Sequence, residues 1–198
     1  MLKKKILLAA CGLVAMAMAT PALAVMSVPF GWYLEGNVGS SHLSNVNYSG
    51  SSSSSGVGGN ANLGYKFMPY FAMEAGYTQY ANSSIKDNTG TKAASVKHYS
   101  YDLAGRGIFP ITDSGFELFA KLGVQRINAK TSISDQTAAN NLGISSSQHN
   151  TTGLYLGAGG QYYMMPELAV NVQWQRAQGN SNSGTEDLYS VGLSFIFD

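Results

Sequence analysis

Little in this chain is charged, and almost nothing in it can cross-link. Its 198 residues include a single cysteine, Cys11, close to the N-terminus. The rest of the chain therefore has no disulfide, no thiolate nucleophile and no cysteine metal site. Charged residues make up 12% of the sequence, against roughly 25% in ordinary soluble domains. Long apolar runs are missing too: nothing after residue 24 approaches the roughly 18–20 apolar residues of a helical membrane span. There is no metal-ligand spacing and no phosphate-binding loop, so neither a metal nor another cofactor is expected. Gly, Ser, Asn and Tyr are plentiful instead.

The N-terminus reads as a processing segment. Lys3, Lys4 and Lys5 precede the apolar, Ala-rich run Ile6 to Ala19, and Ala22-Leu23-Ala24 supplies a small-x-small cleavage pattern. This predicts a secretory signal peptide over residues 1–24 and a mature chain that starts at Val25. The run is too short for a transmembrane helix and is interrupted by Thr20 and Pro21. Leu8-Ala9-Ala10-Cys11 superficially resembles a lipoprotein processing box, but only about five apolar residues precede it, fewer than an h-region needs. Loss of Lys3, Lys4 and Lys5 lowers the bases from 12 to 9 against 11 acids. That balance does not suggest nucleic acid as a partner.

An exported, aromatic-rich chain of low charge leaves two architectures, a soluble β-sandwich and a membrane barrel. Eight segments alternate with period two: Trp32–Gly39, Asn60–Phe67, Phe71–Thr78, His98–Arg106, Glu117–Gln125, Leu154–Tyr162, Leu168–Gln175 and Tyr189–Phe197. One face of each is apolar, and the other mixes long polar side chains with glycine. Alternation alone does not separate the two architectures. Glycine does, because the narrow interior of an eight-stranded barrel needs small residues beside long ones, whereas a solvated face gains nothing from them.

The connections alternate in length as well. Met68-Pro69, Pro110 to Gly115 and Met164 to Glu167 are short. Ser41 to Gly56, Ala81 to Ala94, Ala129 to Asn150 and Ala177 to Thr185 are long and polar. Three short turns at one end and four long loops at the other are the pattern of an outer-membrane barrel, with both termini on the periplasmic side. Aromatics such as Trp32, Tyr65, Phe67, Tyr77, Tyr99, Phe109, Trp174 and Phe197 gather at strand ends, where they would form two interfacial girdles. The predicted fold class is all-β: an eight-stranded antiparallel up-and-down transmembrane β-barrel spanning residues 25–198, in the bacterial outer membrane.

With turns and strands in place, the chain resembles the transmembrane domain of the outer-membrane protein A family from about Trp32 to Phe197. The strongest stretches are GYKFMPYFAMEAGY (Gly64 to Tyr77), FPITDSGFELFAKLG (Phe109 to Gly123) and GGQYYMMPELAVNVQWQ (Gly159 to Gln175), each a short turn with its two strands. The final segment is similar to the C-terminal signal read by the barrel-assembly machinery, with Ser190, Gly192, Phe195 and Phe197 in place and Asp198 as a departure. The resemblance implies delivery by periplasmic chaperones, and lipid or lipopolysaccharide as surroundings. Many members add a peptidoglycan-binding domain. This sequence ends at Asp198, so the barrel-only relatives, including opacity-type and adhesion proteins, are the expected comparison.

The family pattern also implies an interior charge cluster. Glu74 and Arg106 occupy the family's acidic and basic positions on strands three and four, and are expected to pair, with Lys121 and Glu117 nearby. The corresponding positions on strands six and seven are the neutral Gln161 and Asn171, so the alternative salt bridge of a gated pore lacks half its members. Catalysis has one candidate, His98 and Ser100 with Asp102 on the same face. Parity turns all three inward, whereas a lipid-cleaving site must face the bilayer. His42 and His149 are expected in polar loops. The leading expectation is a non-enzymatic barrel that displays four loops to a host or other extracellular ligand, or supports the envelope. A narrow low-conductance pore comes second, and a lipid-modifying enzyme third.

Overall fold

The computed structural model describes residues 29–44, 51–52, 55–86, 92–111, 114–135, 140, 147–179 and 184–197. The predicted signal peptide, residues 1–24, lies outside them, as do parts of all four long loops and the terminal Asp198.

Eight long strands form the wall: β1 (Gly31–Ser44), β3 (Ser55–Met68), β4 (Phe71–Gln79), β6 (Lys92–Ile111), β7 (Phe116–Ile133), β8 (Ser147–Tyr163), β9 (Leu168–Ala177) and β10 (Thr185–Phe197). Two short strands, β2 (Ser51–Ser52) and β5 (Ser83–Lys86), are added beside them. Every pairing is antiparallel. The ring closes because β1 pairs with β3 on one side and with β10 on the other, in a register running from Trp32↔Phe197 to Ser44↔Thr185. With β10 joined to β1, no long edge strand is left to recruit another chain. Phe195 and Phe197 point outward and stack at 6.4 Å, while Ser190 and Ser194 point inward.

The outward face is apolar and exposed because lipid covers it: Leu34 is 55% exposed, Leu122 62% and Phe109 70%. The inward face is buried and polar. Glycine on that face makes room for large neighbours. A Cβ on Gly64 would lie 2.2 Å from the ring of Tyr33, so the tyrosine can cross the lumen only above a bare backbone. At the β6–β7 turn Gly115 takes φ +73°, and the Ser114 hydroxyl donates to the Ile111 carbonyl at 2.5 Å while accepting from Phe116 N–H at 3.2 Å. Serine and glycine at those two places let a tight reversal satisfy its own backbone.

Strand lengths correct the sequence reading. β1 runs on to Ser44, β6 begins at Lys92, β7 continues to Ile133 and β8 begins at Ser147. β2 and β5 lie within stretches expected to be loop; β2 pairs with β5, and β5 with β6. His42 and His149 accordingly sit on strands rather than in loops. The physical reason is solvent. Beyond the lipid the outward face is wet and carries polar residues such as His42, Lys97 and Lys130, while Leu43, Val96 and Ala129 are buried inside. The apolar-out alternation of a lipid-facing strand is therefore lost even though the backbone ladder continues.

Candidate functional site

The lumen holds a network of paired charges at mid-height. Its hub is Glu35 on β1, which is fully buried. Arg106 Nη1 on β6 meets Glu35 Oε2 at 2.9 Å, and Lys121 Nζ on β7 meets Oε1 at 3.2 Å. Three amides also donate to Oε1: Asn62 at 2.9 Å, Asn37 at 3.1 Å and Gln173 at 3.1 Å. Glu74 on β4 shares both cations, with Lys121 at 2.7 Å and Arg106 at 3.6 Å, and accepts from the Tyr33 hydroxyl at 2.9 Å.

The network continues toward the periplasmic end. Arg106 Nη2 donates to Gln161 Oε1 at 2.5 Å, and Gln161 Nε2 donates to Glu117 at 2.7 Å. Glu117 closes the chain with Lys66 at 2.9 Å. Three carboxylates thus face three cations, and each cation has a carboxylate partner. The guanidinium of Arg106 also lies 3.8 Å from the Phe119 ring centroid, a cation–π contact that a dry site strengthens. Burying these charges is tolerable only because they compensate one another.

Neutral layers bracket the plug. On the extracellular side Asn60 donates to Gln175 at 2.7 Å, and Gln175 donates to Thr78 at 3.0 Å. Above them the buried Tyr80, Ile127, Ala177 and Leu188 form an apolar cluster. On the periplasmic side Tyr33, Ala72, Ile108, Tyr163, Ala169 and Ile196 form a second. His98 Nδ1 lies 3.3 Å from Glu186 Oε1 near the outer mouth, so its acidic neighbour is Glu186 rather than Asp102. Ser100 is paired with the Tyr80 hydroxyl at 3.2 Å. His98, Ser100 and Asp102 are all buried in the lumen.

Two details differ from the expected cluster. Glu74 and Arg106 are close, but the tighter partner of Arg106 is Glu35, whose inward position was legible while its role was not. Alternation puts Glu35 on the inward face, but its pairing with Arg106 depends on the stagger between β1 and β6. The same holds for Lys66, which stagger brings against Glu117. Gln161 joins the network as a relay between Arg106 and Glu117, because an amide can accept from one and donate to the other. Asn171 is buried beside it in register, yet its side-chain nitrogen and oxygen have no hydrogen-bond partner among the described residues.

A family model described as "Outer membrane protein beta-barrel domain" matches residues 7–197. Outer membrane protein A of Klebsiella aerogenes is 26% identical over 181 residues, covering 84% of this chain and 48% of that protein; this chain spans about half its length. An uncharacterized protein of Coxiella burnetii is 25% identical over 188 residues, covering 81% of this chain and 74% of its own. Among solved structures, OprG from Pseudomonas aeruginosa superposes with a TM-score of 0.65 at 16% identity, covering 88% of this chain and 99% of that one. Neisserial surface protein A gives 0.60 at 16% identity, covering 84% and 97%. Ail of Yersinia pestis, in complex with the heparin analogue sucrose octasulfate, gives 0.58 at 15% identity, covering 85% and 99%. At these identities the structural likeness speaks for the fold.

Proposed function

The chain belongs to the outer membrane protein β-barrel domain family, and from that premise we propose that it is a non-conducting, non-enzymatic barrel that acts through its extracellular surface in adhesion. Its place is the outer membrane. The observation that carries the reading is the height of one wall. β6 has 20 residues, β7 has 18 and β8 has 17, whereas a tilted strand needs only about 9–11 to cross. A wall built well past the bilayer presents a rigid platform to the outside, and binding residues gain precision when a rigid scaffold carries them. The plug supports the same reading from within, since three carboxylates and three cations pair with one another in the lumen between two apolar clusters.

The Ail complex with a heparin analogue makes sulfated glycans a sensible first ligand to offer this chain. Cells that lack other adhesins, made to express the chain, should bind immobilised heparin or extracellular matrix more than cells without it. Replacing residues 136–146 by a short Gly-Ser turn should remove the difference. No added adherence to any surface, together with stepwise ion conductance of the purified barrel in planar bilayers, would overturn the reading in favour of a pore.

A further inference from the structure

Arg126 and Lys130 on β7 and Lys97 on β6 all point outward and are exposed. Lys97 stands directly opposite Lys130 in the β6–β7 register, and Arg126 stands opposite Tyr101. Like charges placed directly across a strand pair repel. Among the described residues no carboxylate answers them: none of the ion pairs in the structure includes any of the three. The other side of the barrel treats its cation differently. Arg176 on β9 is held by Asp187 on β10 through two contacts, at 2.9 and 3.0 Å, and Asp187 also accepts from the Trp174 indole at 3.0 Å.

Height decides what the unpaired cations meet. Arg126 lies ten positions above Phe116 at the foot of β7, and Asp187 lies ten above Phe197 at the foot of β10. Ten residues at about 3.4 Å, tilted by about 40°, climb roughly 26 Å, which is the full apolar band of an outer-membrane barrel. Lys97 and Lys130 each lie fourteen positions from the foot of their strand, roughly 10 Å higher by the same geometry. Tyr101 stands level with Arg126 and Tyr99 between it and the lysine pair; with Tyr77 they contact one another at centroid distances of 5.3 to 6.1 Å, an aromatic patch of the kind that marks the headgroup level. The three cations therefore stand just outside the hydrocarbon, on the wall that faces lipid.

We propose that Arg126, Lys130 and Lys97 form a binding site for the phosphates of an outer-leaflet glycolipid, with Arg126 at the hydrocarbon edge and the lysine pair above it. Arginine offers a forked donor set that matches phosphate, and the two lysines supply point charges whose mutual repulsion a polyanion relieves. The site lies on the strand wall and needs no ligand at the loops, so its failure and that of the adhesion reading are separate results.

The test uses the folded barrel in phosphatidylcholine bilayers. Lipid A with both phosphates, dephosphorylated lipid A, or soluble sucrose octasulfate is added, and the thermal unfolding midpoint and the retained lipid are measured. The wild type should be stabilised by phosphorylated lipid A and not by the dephosphorylated form. Lys97→Gln, Arg126→Gln and Lys130→Gln, singly and combined, should weaken retention about fivefold per cation removed. Arg176→Gln should leave it unchanged, and the shift of gel mobility on boiling verifies that each variant is folded. Equal retention by the wild type and the triple variant overturns the site, as does equal response to the two lipid A forms. Binding of sucrose octasulfate at these residues with no response to lipid phosphate overturns the assignment to a glycolipid.

Discussion

Cations in this barrel are treated in two opposite ways. Inside, Lys66, Arg106 and Lys121 each meet a carboxylate within 3.2 Å, and Glu35 and Glu74 are both shared between Arg106 and Lys121. Outside, on β6 and β7, Lys97, Arg126 and Lys130 meet none among the described residues. The difference follows from the surroundings. The lumen is narrow and dry, so a charge left alone there has no solvent to turn to and the protein must supply its counter-charge. The outer face above the girdle borders water and lipid headgroups, so the counter-charge can come from elsewhere. Arg176 with Asp187 is the intermediate case, a pair at the rim in which the arginine side chain is 42% exposed.

The largest effect should come from breaking the inside pattern. Arg106→Ala leaves Glu35 and Glu74 to share the single cation Lys121 in the lumen and should cost about 3–5 kcal/mol, read as a lower urea midpoint for unfolding from lipid vesicles. If the variant unfolds at the wild-type midpoint, water reaches the plug and the lumen is not dry. Replacing Glu35, Glu74, Arg106 and Lys121 together by neutral residues of similar volume should cost less than the single change, which separates stranded charge from lost packing. At the rim, Arg176→Gln should cost at most about 1 kcal/mol by the same measurement, as partly exposed pairs do. The smallest effect belongs to Lys97→Gln. In phosphatidylcholine it should leave stability unchanged or slightly raised, because it removes a cross-strand repulsion. A clear loss there would mean that Lys97 has a partner within the protein, and the contrast between the two regions would collapse.

Parts of this arrangement are legible in the chain itself. Alternation places every plug residue on the inward face: Glu35 with Tyr33, Lys66 with Gly64, Glu74 with Ala72 and Arg106 with Ala104. What alternation does not carry is height. Whether Glu35 on β1 lies level with Arg106 on β6 depends on the stagger of six intervening or flanking strands, and stagger is set when the ring closes. A family resemblance supplies heights only at the positions it includes, which covers Glu74 and Arg106 but not Glu35 or Lys66. The strand extensions escaped for another reason. Along Ser41 to Ser44 and Ala129 to Ile133 the outward face turns polar, with His42 and Lys130, while Leu43 and Ala129 are buried inside, so the apolar-out signature is gone and their ladder partners make them strands.

The amino-acid sequence by itself determined which face of each long strand meets lipid and where the short turns fall, because period-two patterning and turn chemistry are local. Tertiary structure alone decided which inward charges pair, how far the β6–β8 wall rises, and that Lys97 and Lys130 stand side by side with no acid against them among the described residues. Those outcomes depend on register between strands distant in sequence, and register is fixed only when β10 pairs with β1 and the barrel shuts.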